Sequence, residues 1–143
     1  MVTNLEKILL ATLVFFIFSC VDEAPRIVPD VYVQFSINME LPEYISLKNA
    51  GNALIVPNQG YNRHGVIIYN SFDDFLAFDA TCPQHIENPT AVVLDDEGAA
   101  GTATCPECKV IYSFFEYGQP SKGYPLKRYV VTKSGSFLYV ANQ

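Results

Sequence analysis

Two short motifs, Cys82-Pro-Gln-His85 and Cys105-Pro-Glu-Cys108, constrain this chain more than any other feature. Each Cys-Pro turn can bring its two side chains toward one point. Two such turns on neighbouring hairpins make a tetrahedral or dinuclear metal site. The competing arrangement is a disulfide, between Cys105 and Cys108 or between Cys82 and either of them. That pairing strands one thiol in an exported protein and leaves His85 without a task. The metal reading is the stronger of the two.

Export is read from the N-terminus. Lys7 precedes a mostly apolar run from Ile8 to Phe18, followed by Ser19 and Cys20. The run is too short for a bilayer core of about 30 Å, which takes about twenty helical residues. It suits a cleaved signal peptide. Ile17-Phe18-Ser19-Cys20 resembles a loose lipobox, in which cleavage before the cysteine leaves its thiol to carry diacylglycerol. The expected organisation is a lipoprotein signal peptide over 1–19, a lipidated tether over 20–29 with Pro25 and Pro29, and a β domain over 30–143. Asp22 and Glu23 are similar to acidic sorting signals of some surface lipoproteins. The expected location is the bacterial cell envelope, periplasmic or surface-exposed, with the membrane reached through the lipid on Cys20.

At 143 residues and a net charge of −6, the chain has room for one domain beyond this appendage. No basic stripe is present to release counterions from nucleic acid, so no nucleic-acid partner is expected. A mature core of this size is modest, and a bound metal would help to hold it.

The periodicity is that of strands. Val31, Val33, Phe35 and Ile37 alternate with polar neighbours, the signature of a half-buried strand. Tyr44 to Leu47 offers a short strand or turn. Ala53–Val56, Val66–Tyr69, Phe75–Phe78, Ala91–Leu94, Thr102–Thr104, Val110–Phe115, Pro125–Val131 and Phe137–Val140 supply further strands. Turn chemistry punctuates them at Asn49–Asn52, Asp95–Gly98, Gly118–Pro120 and Ser134-Gly135. No segment after the signal reads as a helix. The expectation is an all-β, antiparallel sandwich or small barrel with the two metal-binding loops at one end.

The segment from Gly65 to Val140 resembles the Rieske iron–sulfur family. Phe75-Leu-Ala-Phe-Asp-Ala-Thr-Cys-Pro is similar to that family's strand entering its first ligand loop. Cys105-Pro-Glu-Cys108, the run Ile111–Phe115, then Gly118-Gln-Pro120 and Pro125-Leu126 resemble the second loop and its exit. Tyr129-Val-Val131 and Leu138-Tyr-Val140 are similar to the closing hairpin. The resemblance implies a [2Fe–2S] cluster, with cysteines on one iron and histidines on the other. Carried onto this chain, Cys82 and Cys105 would hold the inner iron, and His85 would be a ligand of the outer iron. Cys108 stands where that family has its second histidine, Lys109 where it has a glycine, and two residues rather than one separate Cys82 from His85. A thiolate in place of an imidazole adds negative charge and lowers the potential from the range of roughly −150 to +300 mV toward all-thiolate values. The same four residues make an ordinary Cys₃His zinc site, closed and redox-silent.

Other candidates are weaker. His64 reads as a solvated loop histidine, with a fifth ligand or proton relay as the alternative. Asp73-Asp74 and Asp95-Asp-Glu97 lack the spacing of a calcium loop and read as solvated turns. Ser113, Ser134 and Ser136 have no nucleophile context. Tyr112, Phe114, Phe115 and Tyr117 read as packing residues, some of them shielding the centre. Nothing points to a catalytic domain. The functions expected are an electron carrier with a redox partner protein, or a redox-inert binding lipoprotein on the same fold.

Overall fold

The computed structural model describes residues 27–72 and 74–143. The expected signal peptide, Cys20, the tether up to Arg26, and Asp73 lie outside the described residues.

Among the described residues, ten antiparallel strands make two sheets: β1 (Gln34–Asn38), β2 (Ala53–Val56), β3 (Val66–Asn70), β4 (Phe75–Asp79), β5 (Val93–Leu94), β6 (Thr102–Thr104), β7 (Ile111–Ser113), β8 (Gln119–Pro120), β9 (Arg128–Ser134) and β10 (Phe137–Ala141). The larger sheet is ordered β1-β10-β9-β4-β3-β2 and the smaller β5-β6-β7-β8. The larger sheet curls into a half-barrel. Its seam is the β4–β9 pairing, which spans only Ala77 opposite Tyr129 and Phe78 opposite Arg128. Among the described residues there is no α-helix, and no helix is long and apolar enough to cross a membrane. The expected all-β antiparallel architecture is therefore the observed one.

Alternation along the strands builds two cores back to back. On β3, Val66 and Ile68 join Val33, Ile37, Leu47, Ala77, Leu138 and Val140 on the inside of the curl. Ile67 and Tyr69 point to the opposite face, among Phe78, Ala103, Tyr112, Phe114, Leu126 and the sulfurs of Cys82 and Cys105. Every side chain of β3 is buried, so this strand reads as continuous apolar sequence rather than as alternation. Burying residues of this kind contributes roughly 1.5–3 kcal/mol each, which makes the two cores the main source of cohesion. Aromatic rings join the sheets across the second core. Phe78 stacks on Phe114 at 5.5 Å and 19°, and Tyr69 meets Phe114 at 5.5 Å.

Several expected elements take another form. Tyr44–Leu47 becomes a 3₁₀ turn over Ile45–Lys48 that buries Leu47. Of Ala91–Leu94 only Val93–Leu94 is strand, while Ala91 makes an isolated bridge with Thr81. Pro120, read as turn, pairs with Tyr112 at the edge of the small sheet, where a missing N–H costs no ladder bond. Packing also reaches back beyond residue 30. Val28 is buried, and Lys127 Nζ donates to the Pro29 carbonyl at 2.8 Å.

Asp95–Gly98 connects β5 to β6 as expected, but Asp95 is not merely solvated. Its Oδ2 accepts from Thr102 Oγ1 at 2.7 Å and Thr104 Oγ1 at 3.0 Å, bracing the hairpin. Gly98 sits at φ +97, and a Cβ there would lie 2.0 Å from the Ala53 carbonyl oxygen. Only glycine lets this hairpin lie against β2.

Candidate metal centre

The first loop leaves β4 over a buried carboxylate. Asp79 is wholly buried, and its oxygens accept from Tyr61 N at 2.7 Å, Thr81 N at 2.8 Å and the Tyr129 hydroxyl at 2.6 Å. A buried carboxylate without such donors would cost several kcal/mol. The three bonds hold the chain's direction as it enters the loop. Burial first, and then the hydrogen bond to Asp79, push the Tyr129 hydroxyl above its ordinary range, so it stays a donor. Backbone bonds from Val92 N to the Ala80 carbonyl and from Cys82 N to the Thr90 carbonyl close the loop's base. Pro83 then opens a 3₁₀ turn over Pro83–His85, and His85 N donates to the Cys82 carbonyl at 3.2 Å. That turn puts Cys82 and His85 on the same side.

The second loop is a tight knuckle between β6 and β7. Cys105 N donates to the Val110 carbonyl at 2.9 Å, and Lys109 N donates back to the Cys105 carbonyl at 3.0 Å. Lys109 closes the turn at φ +59, the left-handed region that favours glycine. The residue that departs from the resembled pattern thus still adopts a glycine-like backbone.

The two loops bring together Cys82, His85, Cys105 and Cys108. One ligand atom from each lies within 4.8 Å of every other, and Cys82 Sγ is 3.8 Å from Cys108 Sγ. Cys82 and Cys105 are fully buried, whereas Cys108 is half-buried and the His85 side chain is 26% exposed. All three cysteines are free thiols, so the disulfide arrangement is not the one seen.

The histidine ring shows which atom is offered. His85 Nε2 is buried with no hydrogen-bond partner, while Nδ1 lies 3.5 Å from Glu107 Oε2. An orphaned buried nitrogen is costly unless something absent from the polypeptide satisfies it. One ring nitrogen of His85 lies within 4.8 Å of all three sulfurs, and Nε2 is the one left without a partner. Glu107 occupies the second position in the way that carboxylates orient metal-ligating imidazoles.

The thiols are not alike. Burial pushes the Cys82 thiol up to about 12, although the Tyr112 hydroxyl at 3.2 Å works in the opposite direction. Burial also raises Cys105, but the backbone N–H groups of Cys108 and Glu107, with the neighbouring thiols of Cys82 and Cys108, outweigh it and bring the net shift down. The surroundings thus favour the charged form more at Cys105 than at Cys82. The donor chemistry fits a borderline-soft, thiolate-binding metal.

Gln84 and Asp79 do not stand out in the sequence, Glu107 shows there only as the interior of a motif, and Tyr112 as one of several packing aromatics, some of them shielding the centre. Gln84 Nε2 donates to the Tyr124 carbonyl at 2.9 Å and reaches the Tyr112 hydroxyl at 3.4 Å, tying the first loop to the chain beyond β8. An acid inside a Cys-x-x-Cys motif beside a Cys-x-x-His was the one available signal, for Glu107. Asp79, three residues before a ligand at a strand end, gave none without its partners. His64 is not among the clustered ligands, nor is it merely solvated. Its Nδ1 lies 3.1 Å from Thr81 Oγ1, half-buried beside the first loop.

No family model and no curated protein matches the chain. Among solved structures it is similar to the ferredoxin of carbazole 1,9a-dioxygenase from Nocardioides aromaticivorans IC177, at 16% identity and a TM-score of 0.48, over 80% of this chain and 100% of that one. The same values of identity and TM-score relate it to a chain in a complex of reduced oxygenase and oxidized ferredoxin of carbazole 1,9a-dioxygenase, over 80% of this chain and 96% of the other. A chain assigned as the small subunit of an NADH-dependent nitrite reductase from Mycobacterium tuberculosis is similar at 16% identity and a TM-score of 0.45, over 80% and 98% of the two chains.

Proposed function

We propose that this protein is a Rieske-like electron-transfer module of the bacterial cell envelope, anchored by lipid on Cys20, with its redox centre on Cys82, His85, Cys105 and Cys108. The observation that carries the proposal is the convergence of three free thiols and an orphaned imidazole nitrogen within 4.8 Å. The residue resemblance implies a [2Fe–2S] cluster as the resident group. Iron in such a thiolate-rich setting supplies a one-electron couple.

The chain's own groups then have distinct tasks. Cys82 and Cys105 anchor the centre against the core and exclude water from its inner side. The N–H groups of Glu107 and Cys108 and the hydroxyl of Tyr112 face sulfur and stabilise negative charge there. Glu107 holds the His85 ring in orientation. His85 and Cys108 form the outer edge, the side on which a redox partner protein would dock.

The donor set also favours a second reading, a closed zinc centre on a redox-inert lipoprotein, because Cys₃His is an ordinary structural zinc set. Visible absorption separates the two. The electron-carrier reading expects the purified full-length protein to be coloured, to bleach under dithionite and to recover in air. A colourless protein that holds zinc would sink it. Metabolic labelling with a radioactive fatty acid tests the anchor, which Cys20→Ser should abolish.

A further inference from the structure

We propose that these four residues hold one tetrahedral metal ion and not a two-iron cluster. The proposal rests on the metal-binding reading above, and it corrects the form of the centre that the resemblance implies.

Which sulfurs lie together bears on the form of the centre. In a [2Fe–2S] cluster the ligands divide into two pairs, one on each iron, and the irons with their bridging sulfides stand between the pairs. Transferred to this chain, Cys82 and Cys105 would share one iron while His85 and Cys108 shared the other. Cys82 and Cys108 would then face each other across the cluster. The structure instead places their sulfurs 3.8 Å apart. For one tetrahedral ion with metal–sulfur bonds of about 2.3 Å, the edge between two ligands is about 3.8 Å. Cys82 and Cys108 stand at the separation of ligands on the same ion.

Re-pairing the ligands does not rescue the cluster. Were Cys82 and Cys108 to share an iron, Cys105 and His85 would have to stand off together on the other. Cys105 does not stand off, because its sulfur lies within 4.8 Å of those of Cys82 and Cys108. All four donor atoms also lie within 4.8 Å of one another, which leaves no long direction along which two metals could be strung.

The surroundings leave the donors little freedom to separate. The Tyr112 hydroxyl lies 3.2 Å from Cys82 Sγ on the core side and is itself fully buried. The Cys105–Lys109 knuckle is closed by its own backbone bonds and Cys105 is fully buried, so its sulfur has little room to move outward. His85 enters from the opposite loop with one nitrogen buried and the other facing Glu107. The third thiol, at Cys108, supplies the charge that one ion takes from three thiolates and an imidazole. The ions of this chemistry are zinc and iron, and spacing does not choose between them.

The test uses the full-length protein purified without metal-affinity resin. Metal content, acid-labile sulfide and X-ray absorption at the metal edge are measured on one sample. The expected result is one metal per chain, no labile sulfide, a shell of three sulfurs and one nitrogen, and no metal–metal scattering. Cys108→Ser should lower the sulfur count of that shell to two. Two irons with two sulfides and a metal–metal vector would overturn the single ion while leaving the electron carrier intact. One zinc would uphold the single ion and end the electron-carrier reading, whereas one iron upholds both. A chain that binds neither ferrous iron nor zinc on anaerobic reconstitution would overturn the centre altogether.

Discussion

The two sheets of this domain are held together by different physics. In the larger sheet, β1, β3, β4, β9 and β10 run for five to seven residues and pair over five positions at β1–β10, β9–β10 and β3–β4, though over only two at β4–β9. In the smaller sheet, β5 to β8 are two or three residues long and pair over two or three positions. A sheet so short does not define its own geometry through ladder bonds. It is fixed by what crosses it: the aromatic contacts of Phe114, the glycine approach at Gly98, and the four converging ligands. Burial holds both regions, and the functional end adds a few close contacts and, on the proposed reading, coordination.

That contrast can be broken most forcefully at a ligand. Cys105→Ala removes a fully buried thiol of the cluster, and structural metal sites contribute on the order of 10 kcal/mol of apparent binding free energy. The variant should lose its metal and melt well below the wild type, and treating wild type with a chelator should reproduce both effects. Hydrogen exchange should then rise first in β5–β8 and the two loops, with β3, β4 and β10 still protected. Uniform exchange across both sheets would show that the regions are one cooperative unit.

Leu138→Ala, in the core inside the curl, probes the opposite case. A large-to-small change at a fully buried leucine costs about 3 kcal/mol. The melting temperature should fall while the metal content stays at the wild-type level. Gly98→Ala lies at the junction of the two regions. Its strained backbone and clash with the Ala53 carbonyl should cost about 2 kcal/mol and weaken metal retention against a chelator. Smallest of all is Tyr112→Phe, which deletes a hydroxyl beside Cys82 sulfur and Gln84. About 1 kcal/mol of stability should go, with metal still bound but lost more readily to competing chelator.

How much of this was legible beforehand follows the same division. Strand β2 and the inward faces of β1 and β10 could be read directly, because each needs only alternation or an apolar run closed by a turn. The four clustered residues were legible as candidate ligands because residue type and spacing single them out. What failed to show in the sequence depends on long-range partners. Asp79 is an ordinary acid until Tyr61, Thr81 and Tyr129 converge on it. Tyr112 is one apolar ring among several until its hydroxyl meets Cys82. Ala91–Val92 reads as strand by composition, yet the chain there is spent on the isolated Thr81–Ala91 bridge and on closing the first loop. The spacing of the sulfurs, which decides between one ion and two, is likewise a tertiary property that no motif prints.

The central claim is that Cys82, His85, Cys105 and Cys108 act together as one metal centre. Its most direct test is the metal content of the full-length protein beside single serine variants at the three cysteines, alanine at His85, and alanine at His64 as a control. The account predicts stoichiometric metal in the wild type and His64→Ala, and loss or sharp depletion in each of the four ligand variants. Metal that survives all four changes, or a metal-free wild type, would contradict it.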